Sequence, residues 1–334
     1  MIFDFDAYVT AALFDRSGIP MFALGDGSAR LVTKDGFVTV QAHDGAVLSA
    51  CVHPSGDGMI TGGDDGRVVW SRIESKDGGD EIVASEIAAV KGRWIDAVAA
   101  SPESGLIAFA AGKDLQVLDP KDAAFARVFT HEKSVADVAF DPKGRRIATA
   151  TYGGAALWYA RIEKQAPQML KWAGSHMMVL WSPDGKFLMS SMQENSLHGW
   201  RLSDSKDMRM GGYPAKVKSL AFLSGGLMLA TSGANGAVVW PFQGSNGPMG
   251  KEAAEVAYDQ DVMVVRVAAT PGAAILAGGL DDGRVWCCEL KSGRREMIKA
   301  EKGAAISALA IDPAGDRLIF GDEDGGAGWL KTGF

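Results

Sequence analysis

Apolar runs of four to six residues recur along the chain, each ended by a turn rich in Gly, Asp or Pro. Val135 to Phe140, Ile147 to Thr151 and Ala155 to Trp158 form one such series, separated by Asp141-Pro142-Lys143-Gly144 and by Tyr152-Gly153-Gly154. Runs this short, bounded by turn residues and rich in β-branched and small side chains, read as strands; a helix needs about ten residues or more. A fourth, more polar strand is expected near Gln168 to Trp172. Four antiparallel strands then make one small sheet. Its inner strands are apolar on both faces because neighbouring sheets cover them, and its outer strand meets water.

The series repeats. A Gly- or Asp-rich turn, a short apolar strand and a closing residue return eight times, closing at Leu31, Trp70, Leu118, Trp158, Trp200, Trp240, Cys287 and Trp329, which lie 39 to 48 residues apart. A period near forty sustained over the chain indicates one architecture repeated, so residues 1–334 are expected to form a single domain. The turn between the first two strands also returns, at His53-Pro54, Ser101-Pro102, Asp141-Pro142, Ser182-Pro183, Thr270-Pro271 and Asp312-Pro313. Asp15-Arg16-Ser17-Gly18 replaces it in the first copy and Leu223-Ser224-Gly225-Gly226 in the sixth. First strands are expected at Val47, Ile95, Val135, Val217, Val264 and Ile306.

This outline resembles the WD-repeat β-propeller family, in a divergent form similar to stand-alone bacterial propellers. His43, Val47, Pro54, Gly66 and Trp70 carry the resemblance, and likewise His131, Val135, Pro142, Gly154 and Trp158. The resemblance implies an all-β fold, a single β-propeller of four-stranded antiparallel blades. Eight copies favour eight blades, with seven as the alternative. Ile2 to Phe5 is a plausible strand ahead of the first copy, expected to complete the last blade and close the ring. No copy ends in Trp-Asp, and the His position holds Phe5, Lys91, Trp172, Tyr213, Gln260 and Lys302 elsewhere. The family's His–Ser/Thr–Asp–Trp hydrogen-bond network is therefore expected in at most two copies.

Composition adds bounds. Hydrophobic residues make up 47% and charged residues 22% of 334, enough to bury a large core. The net charge of −7 argues against a general nucleic-acid binder. No apolar run approaches the length of a membrane span. Asp4 and Asp6 stand where an export signal needs positive charge, so the cytoplasm is the expected location. Three cysteines, Cys51 alone and Cys287 beside Cys288, imply no disulfide framework, because neighbours on a strand point to opposite faces.

Candidates for chemistry are thin. Gly244 to Lys251 looks like a phosphate loop, but it has five residues between Gly244 and Gly250-Lys251 where four are required, and Glu252 follows. Asp64-Asp65, Asp281-Asp282 and Asp322-Glu323-Asp324 lack the alternating spacing of a Ca²⁺ loop and read as hairpin turns. The histidines, His43, His53, His131, His176 and His198, fall in different copies, so no metal or other cofactor is expected. No nucleophile elbow occurs.

Binding is the remaining function. In WD-repeat propellers the face where loops lead into the first strands commonly holds partners. The expected function is thus a non-enzymatic protein-interaction scaffold; the alternative is an enzyme, or a receptor for a small ligand or metal, using the central channel. On that strand-opening face the register places Tyr8, Arg93, Trp94, Met177, Lys216 and Met263 as the partner-binding candidates. Trp94 is either an exposed anchor or a side chain packed on the neighbouring blade. The likeness to stand-alone bacterial propellers also suggests a metal-homeostasis GTPase as the protein partner.

Overall fold

Turn residues and apolar runs sort into antiparallel strands as the spacing requires, with a short 3₁₀ turn at Ser224–Gly226. The computed structural model describes residues 1–76, 79–270 and 272–334. Pro271, in the Thr270 turn, lies outside the described residues.

The gradient expected within a sheet is present. Second strands are buried on both faces, as in Met59–Gly63, Ile107–Ala111 and Phe187–Met192. Outer strands alternate, as in Gly36–Gln41 and Asp122–Thr130, which keep one side in water. The N-terminal strand Ile2–Asp4 pairs antiparallel with Gly326–Lys331 as the outer strand of the last sheet, Ile2 opposite Gly328 and Asp4 opposite Gly326. The Met1 ammonium adds a 2.9 Å bond to the Trp329 carbonyl.

Strand pairing corrects the blade count. Among the described residues there are seven sheets, six of four strands and one of six, where eight blades were favoured. The six-stranded sheet takes in the fourth and fifth copies of the repeat. Two of its strands, Arg146–Tyr159 and Gln168–Trp181, are 14 residues long. The first doubles back at Gly153 and Gly154, whose φ of 94° and 139° only glycine adopts easily. Residues before that turn pair with Val135–Phe140, and residues after it pair with the Gln168 strand. The Gln168 strand then passes Gly174 without a loop and supplies the run that opens the next copy. Two copies joined in this way fold as one sheet, so the propeller has seven blades counted by hydrogen-bonded sheets.

A second correction concerns the sixth first strand. It begins at Leu220, not Val217, and ends at Leu223.

Contacts divide the chain into two units. In Leu13–Val179, one core cluster joins Ile60, Val68, Ile95 and Phe109, and the next joins Leu115, Val117, Phe129, Val135 and Trp158. Each cluster draws on consecutive sheets, so burial is between sheets rather than within one. The unit formed by Met1–Ala12 and Leu180–Phe334 repeats the scheme around Phe187 and Phe222, around Val264 and Trp286, and around Ile306 and Phe320.

First strands share a device that sequence reading passed over. Five of them carry a bulge at their second residue, between Val47 and Ser49, Ile95 and Ala97, Val135 and Asp137, Val264 and Arg266, and Ile306 and Ala308. In four of these five, a polar side chain at or beside the bulge then reaches the next first strand. In Leu13–Val179, Ser49 Oγ donates to the Ile95 carbonyl at 3.2 Å, and Asp137 accepts from Val179 N–H at 2.9 Å. In the other unit, Arg266 Nε donates to the Ser307 carbonyl and Ser307 Oγ donates to the Val9 carbonyl, both at 2.6 Å.

Candidate partner-binding surface

The closing tryptophans and the histidines are structural. Trp158 and Trp200 are buried, while Trp70, Trp240 and Trp329 are half-buried. His43 contacts Thr61 Oγ1 at 2.8 Å and Asp65 at 3.0 Å, but Trp70 Nε1 donates to the Asp57 carbonyl instead of joining them. In the fourth copy Trp158 Nε1 donates to His131 Nε2 at 3.0 Å, with Thr149 Oγ1 also 3.0 Å away and no acid in the set. Tyr213 takes the histidine's part in the sixth copy: Trp240 Nε1 donates to its hydroxyl at 2.7 Å, and that hydroxyl meets Thr231 Oγ1 at 2.8 Å. A hydroxyl can both accept and donate, so tyrosine serves where the sequence showed only a departure.

Burial also fixes the titratable groups of the interior. It pushes the Asp137 carboxyl up to about 7, against two backbone N–H bonds from Val179 and Val138 that favour the ion. Burial, with Arg72 nearby, brings His53 down to about 4. Cys51 and Cys287 are pushed up to about 12 by burial, so these thiols stay protonated; all three cysteines are free. The Gly244–Lys251 segment lies between the Ala237–Pro241 and Ala254–Val256 strands, and Lys251 donates to the Gln243 carbonyl. Acid pairs serve their own turns: Asp65 accepts from the Arg67 N–H at 3.0 Å, and Asp322 from the Gly326 N–H at 2.7 Å.

The six partner-binding candidates fall in different surroundings. Tyr8 directly precedes the Val9 strand and is exposed. Arg93 and Trp94 directly precede the Ile95 strand, and Trp94 is 63% exposed. Met263 precedes the Val264 strand, half-buried, with its N–H held by Asp281 at 3.0 Å. Lys216 is exposed but stands four residues ahead of its strand, and Met177 is exposed within the Gln168–Trp181 strand rather than on a loop. Of the six, Arg93 and Trp94 are joined by the chain itself. Arg93, Trp94 and Met177 belong to the Leu13–Val179 unit, and Tyr8, Lys216 and Met263 to the other.

The sequence reading missed Tyr152 and Met169, which are 64% and 46% exposed. They line a cavity of about 420 Å³ with Thr130, Lys133, Trp158 and Lys171. The signal was available: Tyr152 occupies a hairpin turn where four other copies carry Asp or Glu.

Small antiparallel sheets repeated along an all-β chain define a β-propeller. Residues 37–70 and 124–158 match the family described as WD domain, G-beta repeat. The matched segments are two of the repeats, and the fold around them is a β-propeller. It is 25% identical over 241 residues to telomerase protein component 1 of Mus musculus, and 25% over 238 residues to the Rattus norvegicus protein of that name. These alignments cover 70% and 69% of this chain but 9% of each relative, so the chain spans less than a tenth of their length. The crystal structure of the computationally designed Ika8 protein is similar in fold, with a TM-score of 0.74 at 16% identity, over 98% of this chain and 97% of that one. Among the described residues, no helix is long and apolar enough to cross a membrane.

Proposed function

We propose that the protein is a non-enzymatic scaffold, acting in the cytoplasm, that holds a protein partner on its strand-opening face. The reading treats residues 1–334 as one domain. The exposure of Trp94 carries it: a large aromatic with Arg93 beside it stands in water at the mouth of a first strand, where the fold has no need of it. Trp and Arg are among the residue types most enriched as interface anchors, each covering a large surface while keeping a polar group for pairing. Met177 belongs to the same unit as Trp94, and Tyr8, Lys216 and Met263, in the other unit, are candidates by their place in the repeat. WD-repeat propellers serve generally as interaction scaffolds.

Affinity capture from the native host, with wild type beside the double variant Trp94→Ala/Tyr8→Ala, tests the reading. The double variant is expected to fold as wild type does and to lose the protein that wild type retains. Mass spectrometry of the retained protein then identifies it, and a metal-homeostasis GTPase is the named candidate. Unchanged capture by the double variant contradicts the assignment of the face.

A further inference from the structure

The hairpin turn between second and third strands carries acids in several copies, and these acids neutralise nearby cations. Asp282 takes bonds from Arg284 Nε at 2.8 Å and lies 3.4 Å from Lys302 Nζ, while Asp259 meets Arg284 at 3.2 Å. Burial works against ionisation of Asp282, but the bonds from Arg284 and Lys302 outweigh it and hold its carboxyl below the usual range. In the second copy Asp65 meets both His43 and Arg67.

Copies three and four lack these acids. Their turns are Gly112-Lys113 and Tyr152-Gly153. Arg93, Lys113, Lys133 and Lys171 are all exposed, and among the described residues none of them makes an ion pair. They are also contiguous. A Cβ added at Gly112 would lie 3.6 Å from Arg93 Nη1; the Val135 N–H bonds the Gly112 carbonyl at 2.8 Å, and the His131 N–H bonds the Lys113 carbonyl at 2.9 Å. Lys133 and Lys171 flank the cavity that Tyr152 and Met169 line. A chain of net charge −7 thus keeps four cations outside any ion pair on one part of its surface, with Asp114 and Glu132 among them, Trp94 at one end and Tyr152 at the other.

The geometry points to an acidic peptide segment of a protein partner as the occupant of this strip, its carboxylates on Arg93, Lys113, Lys133 and Lys171 and an aromatic or aliphatic side chain in the cavity beside Tyr152. The inference rests on the proposed strand-opening face and names the chemistry of its partner. Charge complementarity selects the occupant: four unpaired cations attract carboxylates and steer their approach. The cavity, with Met169 and the Trp158 edge in its wall, suits an apolar anchor and offers little to a phosphate backbone. Glu132 is the acid within the cavity wall, and Asp114 is engaged by Thr130 Oγ1 at 2.7 Å, so Glu132 opposes the guest and sets where its carboxylates cannot sit.

Fluorescence anisotropy of the full chain tests this. The probe is a fluorescein-labelled twelve-residue peptide of Asp and Glu with one central Phe; its counterpart carries Lys in place of the acids. The acidic peptide is expected to bind, more weakly as salt rises, and the Lys peptide not to bind. Lys133→Glu/Lys171→Glu is expected to weaken binding about tenfold or more, and Glu132→Gln to strengthen it about twofold. Both variants alter exposed side chains, and thermal unfolding checks that each retains the wild-type fold. Binding indifferent to these substitutions, absence of binding, or tighter binding of single-stranded dT12 than of the peptide overturns the inference. Native-partner capture separates it from the reading beneath it. If capture still requires Trp94 while the peptide ignores Lys133 and Lys171, the acidic chemistry alone fails; if capture ignores Trp94 and Tyr8, the face itself fails.

Discussion

Asp281-Asp282-Gly283 and Gly112-Lys113 are corresponding hairpin turns that treat charge in opposite ways. The first gathers Arg284 and Lys302 around a carboxylate. The second presents Lys113 beside an equally unpaired Arg93. Both turns close their hairpins, so the fold does not distinguish them. Folding asks only for a backbone that turns, and a glycine with positive φ supplies that in each, Gly283 at 84° and Gly112 at 65°. The side chains are left to whatever the surface does. Divergence among copies at such positions is therefore not imposed by the fold, whereas agreement among them carries it.

The largest effect should come from breaking what the two regions share. Trp158→Ala removes a buried indole stacked 4.7 Å from Phe129 and bonded to His131, and is expected to cost about 3–5 kcal/mol in urea unfolding. Next comes conversion of one turn into the other. Asp282→Ala leaves Arg284 and Lys302 without their common acid and is expected to cost about 1 kcal/mol, since such pairs near the surface contribute little. It should also give the Met1–Ala12 and Leu180–Phe334 unit a weak affinity for the acidic peptide.

A smaller effect concerns pH. The folded state raises Asp137 to about 7, so between roughly pH 4, where the unfolded carboxyl titrates, and pH 7 the folded chain holds this proton more tightly. Ionising the group therefore lowers stability as pH rises through that window, and its full contribution is present below it. Asp137→Asn should remove this component, so the difference in unfolding midpoint between variant and wild type should move in the variant's favour from pH 5 to pH 7. A constant difference would show that folding does not raise the Asp137 carboxyl. The smallest effect is Trp94→Ala on stability, expected within about 0.5 kcal/mol because the side chain stands in water.

Much of the architecture was legible because strand length, turn chemistry and period each repeat. Apolar second strands and polar outer strands could be read from residue type alone, since burial on two faces or one dictates them. The blade count was not legible. Nothing in the local pattern shows that the Gln168–Trp181 strand runs past Gly174 without a loop, which is a property of pairing rather than of composition. The start of the sixth first strand was misplaced for a related reason: Val217 is apolar and buried, yet pairing begins at Leu220. Tyr213 shows the limit of motif spelling, because its hydroxyl does the work of an imidazole. On the surface, the sequence singled out Arg93 and Trp94 by position but passed over Tyr152, Lys133 and Lys171, whose meaning depends on which acids are missing across neighbouring turns.

One measurement bears most directly on the scaffold reading: the amount of native partner retained by immobilised wild-type protein and by the folded Trp94→Ala/Tyr8→Ala variant, side by side. The account predicts that the variant loses most of the retained partner while unfolding at the wild-type midpoint. Equal retention by the two proteins would contradict it.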